Sequence, residues 1–445
     1  MRSRVPKVLH PLLGRPLLRY GVEAALASGA DPVIVVGGAA LPQLQSALSD
    51  LPLVWAQQAE PLGTAHALMQ VRPFLEGFRG TILVLPGDAP LLRPETLRQL
   101  AQARVGAGMA LLSMELPDPR GYGRILRDDR GEVLGSVEEK DATPEQKALN
   151  EVNSGVYAFD EHVWRLLEEI DNANAAGEYY LPDLIAKYRQ IGARIVALRG
   201  DPEELQGANS RDQLARLEAI LLSRLRQQWM EWGVRMILPE TIYLEPGVEL
   251  ASDVLLWPGV ILRGTTRVEE GAEIGAYSIL TDTRVGAGVR IQAHVVAEGA
   301  VLKAGSDAGP FAHLRPGAHL EEAAHVGNFV EVKNARLGRG AKAGHLAYLG
   351  DAEVGEESNI GAGVVTANYD GQRKHRTVIG PRAFIGSNSL LIAPLQIGQE
   401  AFIAGGSVIH QDVPEEALAI ARERQRTIEG YRRRKRGTSK PQGSA

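Results

Sequence analysis

Residues 366–376, TANYDGQRKHR, gather Asn368, Tyr369, Asp370, Arg373 and Lys374 in one short polar stretch. Upstream lie FVEVKNARLG (329–338) and KAGHLAYLGD (342–351), with Arg315 further back. Arg315, Lys333 and Lys374 are cations of the kind that hold a phosphate. His345 is a candidate general base, because an ordinary imidazole titrates near neutrality. The plain alternative stands beside this reading: isolated Lys and Arg side chains are usually solvated, and Tyr348 could serve packing alone.

What must position these residues is written as a six-residue beat. Ile379, Ile385, Leu391, Ile397, Ile403 and Ile409 fall six apart, and Gly follows Ile379, Ile385 and Ile397. The beat also runs through Val354 and Ile360, and earlier through Val248, Val254, Val260, Val268, Ile274 and Leu280. A helix repeats at 3.6 residues and an ordinary strand at two, so neither accounts for it. A parallel β-helix of hexapeptides does: each side is one short strand plus a corner, with one aliphatic side chain pointing in and a small residue where the chain turns. The array is expected from about 245 to 411, interrupted at 305–325 and again at 366–376. A loop leaving so regular a scaffold is where a site is expected.

The first half reads differently. PVIVVGG (32–38), LVWAQ (53–57), TILVLPGD (81–88) and MALLSMEL (109–116) are compact apolar runs separated by the helical patterns 17–28, 63–75 and 94–103. This alternation predicts a mostly parallel sheet with helices on both faces. A hairpin is expected over 121–141, turning near Asp129–Gly131. Residues 210–232 place Leu214, Leu217, Leu221 and Leu225 on one helical face, with Ser210 as N-cap and Gly233 as the stop. The tail RRRKRGTSKPQGSA reads as basic and disordered.

Composition narrows the chemistry. Gly is 49 of 445 residues and aromatics are 5%, which suits tight β-helix corners. There is no Cys, which excludes disulfides, thiolate metal sites and a cysteine nucleophile. With a net charge of −5 there is no global field for an anionic partner such as nucleic acid, so a phosphate site must be made locally. Pro6, Pro11, Gly14 and Pro16 break any signal-peptide core, and no apolar run reaches the length of a membrane helix. A cytoplasmic protein is expected.

PFAHLRPGA, HVGNFVEVK, KAGHLAYLGD, NIGAG and NYDG together resemble the family of bifunctional N-acetylglucosamine-1-phosphate uridyltransferases/glucosamine-1-phosphate acetyltransferases (the GlmU family). The resemblance covers residues 1 to about 430. It implies an α/β, Rossmann-like nucleotidyltransferase domain over 1–210, a connecting helix over 211–233, a left-handed parallel β-helix over 234–420 and a basic tail over 421–445. The implied reactions are acetyl transfer from acetyl-CoA to glucosamine 1-phosphate, then uridylyl transfer from UTP to N-acetylglucosamine 1-phosphate. By the same resemblance His345 takes a proton from the sugar amine. Arg315, Lys333 and Lys374 hold the phosphate, and Tyr348, Asn359 and Tyr369 orient the sugar. Ala362, Asn368, Ser387, Gly405 and Arg422 match acetyl-CoA contacts, with Gly405 standing where the family usually has Ala. The family's sites lie between neighbouring β-helices, which implies a homotrimer.

VPKVLHPLLGRPLL, QQAEPLGTAHA and LPGDAPL extend the resemblance into the first half. Lys7 falls on the phosphate-binding lysine. Gln58, Gly63 and Thr64 fall on the uracil-recognising stretch, and Gly123, Glu138 and Asn153 on sugar contacts. Asp88 and Asn209 fall on the pair that holds Mg2+, Asn209 also serving the nucleotide sugar. By itself an Asp after a strand is more often a turn or helix cap than a metal ligand. The family opens with a strand and the motif LAAGxGTRM, and this chain begins at the Met of that motif. The expectation is therefore that acetyl transfer is intact while uridylyl transfer suffers from the missing strand and Gly-rich loop. Two alternatives remain: acetyl transfer alone, or a two-domain scaffold without catalysis, which would have no use for His345 and Lys374.

Overall fold

The computed structural model describes residues 1 and 3–432, so most of the expected basic tail lies outside the described residues. The chain divides into two compact units after Arg224, inside the helix Arg211–Glu231.

In the first unit the apolar runs form strands Ile34–Gly37, Val54–Gln57, Ile82–Val84 and Met109–Glu115, as expected. The sheet is not mostly parallel, however. Its strand order is Ile195–Arg199, Met109–Glu115, Glu151–Phe159, Arg124–Arg127, Val133–Val137, with Ile82–Val84 also paired to Glu151–Phe159. Only the first pair is parallel; every partner of Glu151–Phe159 runs against it. That central strand, EVNSGVYAF, carries Asn153, Ser154 and Gly155 at its middle, which masks it as a loop in the sequence. Beyond the irregularity at Gly155 its second half nevertheless alternates between the two faces of the sheet. Tyr157 and Phe159 face one core with Leu184, Ile185 and Tyr188, while Val156 and Ala158 face another with Leu97 and Leu100. The hairpin is as expected: Asp128 Oδ1 accepts the Arg130 and Glu132 amides, turning Arg124–Arg127 back into Val133–Val137.

Ile34–Gly37 pairs only with Val54–Gln57, in a separate two-stranded sheet. Between it and Ile82–Val84 lies a cavity of about 1030 Å³, apolar along Leu18, Val22, Ile34, Val36 and Ile82 and polar where it reaches Glu138 and Asn153. The helix Arg211–Glu231 starts in a reciprocal cap. Ser210 Oγ accepts the Gln213 amide, and Gln213 Oε1 accepts the amides of Ser210 and Asn209. Its buried side chains are Leu214, Leu217 and Leu222, and the half-buried Leu221 packs on the cluster of Leu214 and Leu217, as expected.

The second unit is a left-handed parallel β-helix of three sheets holding eleven, ten and nine strands. It begins at Arg235–Met236 and ends at Leu418–Ala419, wider than the 245–411 read from the beat. Two side chains per hexapeptide are buried. Leu250, Leu256, Leu262, Val268, Ile274 and Leu280 occupy one position, while Val248, Val254 and Val260 occupy a second, two residues earlier. The early beat read from the sequence thus mixes two phases. The interruption expected at 305–325 does not exist. Asp307–Ala308, His313–Leu314, His319–Leu320 and His325–Asn328 continue the sheets without a break. Ala308 fills an inward place usually held by a larger aliphatic, which hides the repeat. The second interruption is real: the chain leaves strand Val365–Ala367 and returns at Thr377–Ile379.

Candidate active sites

One corner of the β-helix collects the candidate base and the residues stacked above it. Strands His325–Asn328 and Lys342–His345 are parallel neighbours with Asn328 in register with His345. The residue after each turns through positive φ, Phe329 at 58° and Leu346 at 50°. Backbone bonds carry the corner upward: Leu346 N–H to Asn328 O (3.0 Å), Gly363 N–H to Leu346 O (3.0 Å), Asn388 N–H to Ala362 O (2.7 Å) and Gly406 N–H to Ser387 O (2.7 Å). His345, Ala362, Ser387 and Gly405 therefore form one lane, each a coil above the last. Arg422 closes it, its Nη1 donating to Gly405 O at 2.6 Å. Gly is required beside the lane at 386, where a Cβ would sit 2.6 Å from Ile403 O. Below His345 the same corner is a stack of Tyr277, His294, Phe311 and Phe329, with ring centroids 4.8–5.4 Å apart.

The sheet after this corner carries the cations. Arg315 donates to Glu331 Oε1 at 2.7 Å, and this bond holds the guanidinium pKa above its ordinary value. Glu331 is in register with Tyr348, and Lys333 ends the same short strand. Asn359 lies on the sheet before the corner, between Lys342 and Phe384, so it does not share a face with Tyr348. Tyr369 and Lys374 face each other across the loop as an isolated antiparallel bridge. Asp370 shapes that loop. Its carboxylate accepts the amides of Arg373 and Gln372 at 2.7 Å and pairs with His375 at 2.6 Å, and these bonds, the Arg373 amide foremost, hold its pKa far below the usual carboxylate range. Asn368 is buried at the loop base and donates to the Asp351 carboxylate.

In the first unit Lys7, Asp88 and Asn209 come together. The Lys7 ammonium pairs with the Asp88 carboxylate and donates to Asn209 Oδ1. Asp88 follows strand Ile82–Val84, and Gly207 leaves it room: a Cβ there would lie 2.8 Å from Asp88 Oδ2. Two oxygens thus converge on one cationic point. Among the described residues no group of three or more His, Cys, Asp or Glu could cage a metal. An Asp–Asn pair fits Mg2+, which keeps waters and phosphate oxygens for most of its shell.

Gln58, Gly63 and Thr64 also meet. Gln58 Nε2 donates to Gly63 O at 3.1 Å and touches His66 Nδ1 at 3.0 Å, while Thr64 Oγ1 accepts the Leu181 amide at 3.1 Å. Gly63 has φ +108°, and a Cβ would strike the Tyr179 carbonyl at 2.6 Å. Gly123, Glu138 and Asn153 line the polar end of the cavity together with Thr64. Gly123 O accepts the Asn153 amide at 2.9 Å, and a Cβ at 123 would come within 3.1 Å of Glu138 Oε1. Burial, then the neighbouring Asp141, Asp183 and Glu178, raises the Glu138 pKa; burial likewise raises those of Asp183 and Tyr157. The sequence reading does not single out Asn328, Glu331, Asp351, Asp183 or Tyr157. For the first three the signal is present, since each sits one coil, 16 or 17 residues, from the group it touches.

The sequence compares directly with known proteins. A nucleotidyl transferase family model matches residues 2–209, and a model for the hexapeptide repeat of succinyl-transferases matches 376–411. The bifunctional protein GlmU of Thermus thermophilus is 61% identical over 438 residues, spanning 98% of this chain and 96% of the relative. The bifunctional protein GlmU of Caldanaerobacter subterraneus subsp. tengcongensis is 44% identical over 97% of this chain and 94% of its own. That of an Anaeromyxobacter species is 46% identical over 100% and 92%.

Proposed function

The chain belongs to the bifunctional GlmU family, and from that premise we propose how its two units divide two reactions. The second unit acetylates glucosamine 1-phosphate with acetyl-CoA. The first joins N-acetylglucosamine 1-phosphate to the uridylyl group of UTP and releases pyrophosphate. The lane His345–Ala362–Ser387–Gly405 carries the first assignment, because it runs a base and a line of small residues along one corner beside the cations of the next sheet.

For acetyl transfer, Arg315, Lys333 and Lys374 hold the sugar phosphate, and Tyr348, Asn359 and Tyr369 turn the amine toward the lane. Ala362, Asn368, Ser387, Gly405 and Arg422 line the thioester. His345 takes a proton as the amine nitrogen bonds to the thioester carbon, and the C–S bond then breaks with the proton returned to the departing thiolate. For uridylyl transfer, Gln58, Gly63 and Thr64 meet the uracil, and Gly123, Glu138 and Asn153 the sugar. Asp88 and Asn209 hold Mg2+, which when bound neutralises the triphosphate. Lys7, already among those oxygens, shares that charge as the sugar-phosphate oxygen attacks the α-phosphorus.

Asn359 lies off the face of Tyr348, which supports a site shared between copies and hence a homotrimer. The exposed stack Tyr277, Phe311 and Phe329 adds apolar surface for self-association. No described helix is long and apolar enough to cross a membrane; the reading of the chain as a cytoplasmic enzyme rests on its family. The test assays thiol release from acetyl-CoA with glucosamine 1-phosphate, and pyrophosphate release from UTP with N-acetylglucosamine 1-phosphate. Absence of either product removes that reaction, and a monomer by light scattering removes the trimer.

A further inference from the structure

His345 can act as a base only if one ring nitrogen keeps its lone pair free and aimed at the substrate. A flexible, exposed imidazole meets neither condition unaided. Its Nδ1 lies 2.5 Å from Asn328 Oδ1. Asn328 is half-buried, in strand register with His345, and its backbone carbonyl accepts the Leu346 amide one residue beyond the imidazole. Phe329, the next residue, is pinned to Phe311 at 5.3 Å and 14°. The side chain that meets the imidazole is thus fixed by backbone on one side and by the aromatic stack on the other.

We propose that Asn328 is the positioning residue of the acetyl-transfer site: its side-chain carbonyl accepts the Nδ1–H of His345 and leaves the Nε2 lone pair facing the amine. This rests on the reading of His345 as the base. An amide fixes the tautomer as a carboxylate would, but adds no charge that would favour the imidazolium. The ionisable groups on the surrounding strands are otherwise Lys342 beside it, the His325–Asp307 pair at 2.6 Å on the coils below, and Glu331, Lys333, Arg315 and Tyr348 on the next sheet. Asn359, one coil above Lys342, is neutral. Asn328 is therefore the uncharged hydrogen-bond acceptor that the Nδ1 side meets.

The experiment compares full-length wild type, His345→Ala, Asn328→Ala and Asn328→Asp, measuring kcat, KM for each substrate and the pH profile of acetyl transfer. The melting temperature of each variant serves as the folding control, and uridylyl transfer, assigned to the first unit, as an internal rate standard. Asn328→Ala is expected to lower kcat by roughly 10–100-fold, the usual cost of losing such a partner, with both KM values little changed. Asn328→Asp is expected to move the acid limb of the profile upward by about one pH unit or more, since a carboxylate beside the ring stabilises its protonated form. If His345→Ala abolishes turnover but both Asn328 variants keep the wild-type rate and profile, the proposal is wrong and the base stands. If His345→Ala turns over normally, the base and its positioning residue fall together. Asn328→Asp is isosteric, so it decides the matter even where the alanine variant does not fold.

Discussion

Gly386→Ala should cripple acetyl transfer by prising two coils apart, without touching a substrate. The added methyl would sit 2.6 Å from Ile403 O and 2.7 Å from Gly405 Cα, both main-chain atoms of the next coil. Nothing there can rotate away, so the coil must retreat by about 1 Å to reach ordinary contact. That stretches Gly386 N–H to Ile403 O (2.9 Å) and Gly406 N–H to Ser387 O (2.7 Å). Overpacking of this kind costs about 1–3 kcal/mol, and a lost main-chain bond about 1 kcal/mol. A total near 3 kcal/mol would lower the Tm of a unit this size by roughly 6–12 °C. The same movement displaces Ser387 from Gly405 within the lane, and a 1 Å error of placement can cost on the order of 10²-fold in rate. Gly405→Ala is the comparison: its methyl meets only the Ser387 carbonyl, at 3.1 Å, and a few tenths of an ångström relieve it. The assay is calorimetry together with thiol release at varied acetyl-CoA. If Gly386→Ala melts with wild type and keeps its acetyl-CoA kinetics, the coil spacing does not set the lane.

His345→Ala should lower acetyl transfer roughly 10²–10⁴-fold and spare uridylyl transfer, as paired thiol and pyrophosphate assays will show. Arg315→Ala should raise KM for glucosamine 1-phosphate more than for acetyl-CoA, and more than Lys374→Ala does, because it also leaves Glu331 facing the phosphate; Arg315→Ala/Glu331→Gln should recover part of the loss. Asp88→Asn should raise the Mg2+ concentration needed for pyrophosphate release and leave thiol release alone. Glu138→Gln should stabilise the first unit at neutral pH. Burial raises the folded pKa of Glu138, so wild type loses stability as pH climbs from the unfolded value through the folded one, whereas Gln does not. The difference in Tm should vanish below the unfolded pKa, and a gap that persists at acid pH refutes the linkage.

The β-helix was legible because its core repeats in the chain itself. An inward aliphatic at every sixth position is a local signal, and it survives wherever that side chain is large. It faded at Ala308 for want of bulk, and it slipped phase between Val260 and Val268 because two positions per hexapeptide are buried. The first unit offers no such repeat. Its central strand is recognised only through its neighbours on both edges, which come from residues 82–84, 109–115 and 124–127. Asn153, Ser154 and Gly155 look like a turn until Ser154 Oγ is seen donating to Leu112 O and Asn153 to Tyr157.

The site divides along the same line, between residues that touch substrate and residues that hold them. His345 and Lys374 announce themselves as candidates by type, because possible bases and phosphate cations are few in kind, whereas Asp88 is legible only through the resemblance. Asn328, Glu331 and Asp351 do not announce themselves, since a surface Asn, Asp or Glu has many uses and its meaning lies in the partner. In a β-helix that partner has an address, one coil away. Asn328 to His345, Arg315 to Glu331 and Asp351 to Asn368 all obey it. Adding the coil length to the search turns each candidate into a triplet, the residue with those below and above it. Applied to Ser387 the rule reaches Gly405, where Arg422 joins the lane, whereas the loop at 366–376 lengthens the step down to Ala362 beyond one coil. The site of this unit is therefore better read as a ladder than as a motif: what each rung does depends on the rung beneath it, as the imidazole of His345 depends on the amide of Asn328.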